Sequence, residues 1–299
     1  MTRIQQVHWE LERDYIGHPY YVSGNAILHA LGQQVPYDVH QHLHASHGIF
    51  VPGQFGRFPD DHSQSGVRPH LGSRLPEVES YADLFLLRDP AHRWLLDSRP
   101  RDALNTHDIR PQSNHPALAH KTIMGRPENS HRKQQTTRWY INAYLHASGP
   151  DVLPIDEGVL NGLQFGGKRN YGYGVTQLKD TQVVDLDKLD YSQIKDGEAF
   201  LIEVVTPFVL ESAYPNAADQ EIPWWWKGCR GELREREEKI VEQQETHRLQ
   251  TVDHRQVTMY EGNRPLKTAK SGILRVGTHS KQGFGEFRVR PGDSPKRKC

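Results

Sequence analysis

Apolar and polar positions along the chain set out a strand, a short helix and a long irregular region, followed by a second series of strands. Over residues 3–12, Ile4, Val7, Trp9 and Leu11 alternate with polar neighbours in the manner of a half-buried strand. After the turn "GHPYYVSG", Ala26, Ile27, Ala30 and Leu31 recur at helical spacing, with Ser23 to Asn25 available as N-cap residues. From about 53 to 135 the periodicity fades into loop chemistry, with one or two short apolar pieces in "YADLFLLRDPAHRWLLDSRP" cut by prolines, and the segment reads as a long insertion. Alternation returns at Trp139, Ile141, Ala143 and Leu145, a returning strand; a helix or strand, a glycine loop and another strand follow in "VLNGLQFGGKRNYGYGVTQLKD".

The second half opens on "EAFLIEVVTPFVL", residues 198–210, rich in Val, Ile and Phe and the strongest strand candidate of the chain. "RGELREREEKIVEQQETH" reads as a charged surface helix whose thin buried face carries Leu233, Ile240 and Val241. "RQVTMYEG" and "SGILRVG" are short strand candidates, and "GEFRVRPG" closes the unit. Each half therefore runs strand, helix, strands, glycine loop, strand. The simplest architecture with that order is a duplicated α+β unit whose antiparallel sheets are covered by helices. The first unit spans residues 1–180 with its insertion, the second 181–292, and a basic tail occupies 293–299.

The two glycine loops are the strongest candidate chemistry. Gly166, Gly167, Gly172 and Gly174 enclose Lys168, Arg169, Asn170, Tyr171 and Tyr173; Gly277, Gly283 and Gly285 enclose Thr278, His279, Ser280, Lys281, Gln282 and Phe284. Glycine frees the backbone for positive φ and lets a ligand approach bare N–H groups. Lys168, Arg169 and Lys281 would add charge-assisted bonds to phosphate, and Tyr171, Tyr173 and Phe284 would stack on bases or anchor the loop. A nucleotide-binding loop should open a helix and end in Gly-Lys-Ser/Thr; both loops lead into strands and lack that ending. Two hairpin turns without a ligand are the plain alternative.

Composition adds bounds. With 299 residues, two domains are accommodated. Lys plus Arg equals Asp plus Glu at 37 each, so no overall field drives the chain onto nucleic acid or an acidic membrane, and any such partner is met by a local patch. The charge is uneven: the chain from Arg264 onward is basic, Glu232 to Glu245 is mostly acidic, and Lys121 to Arg138 is a second basic stretch. Cys229 and Cys299 form neither a disulfide framework nor a zinc pattern and suit a reducing cytoplasm. The N-terminus lacks the apolar core of a signal peptide and no run is long enough to span a membrane, so a cytoplasmic protein without a membrane partner is expected.

"GGKRNYGYGV" and "GTHSKQGFGEFRV" resemble the glycine-rich signatures of the CRISPR-associated RAMP superfamily, and "YYVSGNAILHAL" is similar to that family's first-helix region. The resemblance covers both ends and the middle of the chain but not residues 53–135. It implies two ferredoxin-like domains of the RNA-recognition type, CRISPR RNA as ligand, other CRISPR-associated effector subunits as partners, and no cofactor. A backbone subunit, a cap subunit and a guide-maturing nuclease are the roles it allows. A protein-interaction module whose loops are only turns stays open beside them.

"YDVHQHLHASHGIF" carries His40, His42, His44 and His47. The resemblance to CRISPR RNA-processing endoribonucleases aligns best through His44, whose imidazole would act as general acid or base without a metal; Tyr15, Tyr20, Tyr21 and His29 are candidate partners by proximity alone. His40, His44 and His47 would share a helical face, and His40, His42 and His44 a strand face; either set offers three imidazoles to zinc, although the only nearby carboxylate is Asp38 and solvated histidines are the plain alternative. In "PWWWKG" three adjacent indoles cannot all face one core, so two buried and one exposed is the expected arrangement, with a subunit-docking face as the second reading.

Overall fold

The computed structural model describes residues 2–18, 21–52, 74–88, 103–112, 115–124, 139–149, 151–195, 199–228, 233–242 and 245–292. Cys229, Cys299, Tyr20 and the basic tail lie outside the described residues.

In chain order the first half comprises β1 (Arg3–Leu11), β2 (Tyr15–Gly17), β3 (Tyr21–Val22), α1 (Gly24–Leu31), α2 (Tyr37–His40), β4 (Leu43–Ala45), β5 (Gly48–Pro52), β6 (Ala103–Gln112), β7 (His115–Met124), β8 (Trp139–Ala147), α3 (Glu157–Leu160) and β9 (Thr176–Asp185). The second comprises α4 (Ser192–Lys195), β10 (Phe200–Val204), β11 (Phe208–Ser212), β12 (Trp226–Gly228), β13 (Glu235–Glu242), β14 (Glu245–Val252), β15 (Val257–Tyr260), α5 (Pro265–Leu274) and β16 (Phe287–Pro291). The chain is thus a mixed α and β fold with several antiparallel sheets. The largest runs β3-β5-β8-β1-β9, with β4 attached to β8; a second runs β12-β15-β10-β16. In both, the strand after the glycine loop pairs antiparallel with the opening strand of its half, β9 on β1 and β16 on β10. Two smaller sheets, β11-β14-β13 and β2-β7-β6, complete the strands.

Ser23 caps α1 through its hydroxyl, which accepts from the Ala26 amide at 3.2 Å. Ile27 and Leu31 of this helix bury against Val7, Trp9, Leu11, Ile141 and Phe165 in the first core. β1 is buried on both faces, which corrects the half-buried expectation. Its polar face is covered and paired: Gln6 meets the Gln182 amide at 2.5 Å, His8 stacks on Tyr140 at 5.0 Å and Glu10 pairs with Lys179 at 3.0 Å. The Pro76 carbonyl, from the insertion, lies over the same strands and accepts from Gln182 at 2.9 Å.

Three elements differ from the sequence reading. The charged helix is the hairpin β13–β14: Glu238 and Ile240 are buried while Glu237, Lys239 and Val241 are exposed, a period of two hidden behind charge because Glu238 faces inward to meet His18 at 3.0 Å. The single strand over 198–210 is two, β10 and β11, broken where the amides of Val205 and Thr206 both donate to the Glu286 carbonyl. The strand expected over 271–277 is mostly the end of α5, which Pro265 starts at a position where its missing N–H costs nothing and which buries Ala269 and Ile273. Within the insertion, Tyr81, Leu84 and Phe85 join the second core, and β7 adds the hairpin β6–β7 to β2.

The two halves meet at a buried ion pair. Arg88 and Glu286 are each fully buried, with Arg88 Nε to Glu286 Oε1 at 2.8 Å and Nη2 to Oε2 at 2.5 Å. Nη1 donates to the carbonyls of His47 and Asn142, and the guanidinium lies 4.5 Å above the Tyr144 ring. One side chain therefore ties the insertion to β8, to the His47 turn and to the residue preceding β16.

Candidate nucleic-acid interface

The two glycine loops match at each positive-φ position and in the 3-10 turn between them. Gly166 and Gly277 have φ of 85° and 86°; Lys168 and His279 follow in the left-handed region at 56° and 62°. Each then makes a single 3-10 turn, Arg169–Tyr171 and Ser280–Gln282, ended by Gly172 at 80° and Gly283 at 107°. Gly174 and Gly285 close the loops: a Cβ there would lie 1.9 Å from the carbonyl oxygens of Phe165 and Val276, respectively. Only glycine permits both that approach and the positive φ. Among the described residues the backbone N–H groups of Lys168, Asn170, His279 and Lys281 make no hydrogen bond, so equivalent donors stand free in both loops.

α1 lies between the loops. Its first residue, Gly24, abuts the second loop so closely that a Cβ would sit 2.3 Å from the Gln282 carbonyl oxygen. Ala30, in its last turn, lines a cleft with Gln33, Gln34, Arg169 and Asn170 at the first loop. Eight residues of helix rise about 12 Å, and that is the scale of the separation along the helix.

The side chains of the loops differ in their availability. Lys168, Asn170 and Tyr171 are exposed, Tyr171 by 75 %, and the side chains of Lys168, Arg169 and Asn170 make no hydrogen bond among the described residues. In the second loop His279 is held at both ring nitrogens, by Ser212 at 2.8 Å and Gln282 at 2.7 Å, and Lys281 donates to the Gln41 carbonyl at 2.8 Å. Phe284 is buried edge-on to His47 at 4.6 Å, so of its two possible roles the ring plays the anchor. Thr278 and His279 also line an acidic recess with Tyr214, Glu242, Glu245 and His247.

The four histidines do not gather, which corrects both shared faces considered for a metal. His40 lies on α2 and bonds the Leu28 carbonyl at 3.0 Å; His42 meets Ser148 at 3.3 Å; His47 is fully buried, accepts from the Gly24 amide at 2.9 Å and stacks on Tyr21 at 4.1 Å. Among the described residues no group of three His, Cys, Asp or Glu is placed to hold a metal ion. His44 stands apart on β4. It pairs in register with His146 of β8, the ring centroids being 4.6 Å apart. Burial, then the charges of Arg275 and Lys281, push its imidazole down to about 4, and burial, Arg275 and His44 do the same to His146. Arg275 is buried, φ 71°, with Nε donating to the Ser280 carbonyl at 2.9 Å. Its Nη1 and Nη2 have no hydrogen-bond partner among the described residues.

His44 thus sits beside the second glycine loop, in a positive field. Of the partners considered from sequence proximity, Tyr15 is buried with its hydroxyl 3.5 Å from the Tyr21 carbonyl, Tyr21 stacks on His47, His29 is exposed on α1, and Tyr20 lies outside the described residues. His146 and Arg275 were not singled out from the sequence; only the β4–β8 register and the left-handed turn after α5 bring them to His44. The tryptophans follow expectation, with Trp225 and Trp226 packed in the second core and Trp224 73 % exposed.

No protein-family model and no curated protein matches the sequence. Among solved structures, a CRISPR-associated protein Cas6 aligns over 96 % of this chain and 98 % of its own at 8 % identity with a TM-score of 0.40. A Type III-B Cmr-beta complex bound to cognate target RNA aligns over 94 % and 95 % at 10 % identity with a TM-score of 0.32. Scores this low identify neither a fold nor a function. No helix among the described residues is long and apolar enough to cross a membrane.

Proposed function

We propose that the protein binds single-stranded RNA along a track running from the first glycine loop, past α1, to the second, as a CRISPR RNA-binding subunit working with other CRISPR-associated effector subunits in the cytoplasm. The observation that carries this reading is the repeated loop conformation at the two ends of one short helix, each copy offering unpaired backbone N–H groups. Free N–H groups beside Lys168, Arg169 and Lys281 suit phosphate oxygens, and a repeated site suits a polymer with repeated phosphates. Under this reading the sheets β9-β1-β8-β5 and β16-β10-β15-β12 belong to two ferredoxin-like units, with the 180/181 boundary expected from sequence moved past the end of β9 at Asp185, and among the described residues β11 and the β13–β14 hairpin stand in the second unit where a first helix is expected. The resemblance of the loop sequences to the RAMP superfamily supports CRISPR RNA as the ligand.

A second reading, a metal-independent endoribonuclease, is favoured by one feature: His44 and His146 face each other beside Lys281 and the buried guanidinium of Arg275. With its imidazole near 4, His44 is neutral at pH 7 and suited to accept the 2′-hydroxyl proton rather than to donate one. Incubation with repeat-containing RNA in EDTA separates the two. Retention of intact RNA supports the binding subunit, specific cleavage lost in His44→Ala supports the enzyme, and failure to retain or cleave RNA at low salt contradicts both.

A further inference from the structure

Several amide side chains elsewhere in the fold are held by partners. Gln5 bonds the Ile155 carbonyl and Thr181, Gln182 bonds Gln6, Gln250 bonds Glu235 and Gln282 bonds Glu242. At the first glycine loop the opposite holds. Gln33 and Gln34, just past α1, Gln164 before the loop, and Asn170 and Arg169 within it surround one cleft of about 260 Å³, and none of these five side chains makes a hydrogen bond among the described residues. The remaining lining is Ala30, Gly162 and Leu163, so among the described residues the cleft holds a single cation and no carboxylate.

That donor set has a definite chemical complement. A phosphate presents acceptors only and is best met by cations and N–H groups, whereas a carboxamide presents an acceptor and a paired donor side by side. Four carboxamides around one opening match a neutral, flat partner that alternates donors and acceptors along its edge, which describes an unpaired nucleobase. A guanidinium adds a fork suited to the two acceptors of a purine edge, and the exposed Tyr171 ring, adjacent in the loop, offers a stacking face.

We propose that the cleft between α1 and the first glycine loop reads one purine base of the bound strand, with Gln33, Gln34, Gln164 and Asn170 on the base edge and Arg169 completing it. The inference rests on the RNA-binding reading and adds to it a source of sequence preference, while the backbone N–H groups of both loops hold phosphates without regard to sequence.

The test is selection from a pool of short randomised single-stranded RNA by the full-length protein, followed by fluorescence anisotropy on individual winners and their single-base variants. The wild type should enrich a purine at one position, with substitution by a pyrimidine there weakening binding about tenfold or more, the discrimination expected of a good bidentate base contact. Gln33→Ala/Gln34→Ala/Gln164→Ala should bring purine and pyrimidine at that position within about twofold while leaving the salt dependence of binding unchanged, since no phosphate contact is removed. All three residues lack side-chain bonds, and circular dichroism would establish that the triple variant keeps the fold. RNA bound without any positional preference, or a preference that persists in the triple variant, overturns the base-reading cleft and leaves RNA binding intact. No binding of any RNA at low salt instead overturns the RNA-binding reading itself.

Discussion

Replacing Arg88 by Met keeps most of the side chain's volume and removes the charge from the junction of the two halves. Four hydrogen bonds disappear, to Glu286 at 2.8 and 2.5 Å and to the carbonyls of His47 and Asn142 at 3.0 and 2.9 Å. The larger consequence is that Glu286, fully buried, loses the guanidinium bonded to it and keeps only the charge of Arg275, which interacts with it without forming an ion pair. Removing one partner of a buried pair costs about 3–5 kcal/mol, far more than an exposed pair would. Urea titrations followed by circular dichroism measure the loss, with the midpoint compared at constant slope. Arg88→Met/Glu286→Gln should recover part of the loss, because the buried charge is gone. A single-variant loss below about 1 kcal/mol, or a double variant that loses the sum of the two singles, would refute the account of the junction.

Gly285→Ala and Gly174→Ala should each cost more than about 2 kcal/mol in thermal or chemical unfolding, since a Cβ meets a carbonyl oxygen at 1.9 Å in addition to the left-handed penalty; Gly172→Ala, with φ of 80° but open space around it, should cost only about 1–2 kcal/mol. RNA affinity should rise as pH falls from 7 toward 5. A phosphate near His44 raises an imidazole that the free protein holds near 4, so binding takes up a proton, and His44→Ala should flatten the dependence; a pH-independent wild type contradicts phosphate placement there.

Legibility in the sequence tracked how far local pattern determines position. α1 and its Ser23 cap, β1, β8 and the strands after both loops are set by periodicity and turn chemistry, and all are found. The β13–β14 hairpin was hidden because its inward residues include Glu238, buried against His18; a buried carboxylate reads as surface until its partner, more than 200 residues away, is known. α5 was hidden by glycine and serine near its end, although Leu266, Ala269 and Ile273 fall at helical spacing. The loops were visible as glycine spacing, but the match of their dihedral angles and their relation to α1 depend on the fold. So does the meeting of His44, His146 and Arg275, which join β4, β8 and the turn after α5.

The central claim, that one RNA strand touches both glycine loops, is most directly tested by cross-linking with single-stranded RNA carrying one 4-thiouridine at successive positions and mapping the adducts by mass spectrometry. The account predicts adducts within residues 166–174 and within residues 277–285 from the same RNA, at positions a few nucleotides apart, as the length of α1 requires. RNA held at saturation with adducts outside both loops, or in one loop only at every position tried, would contradict it.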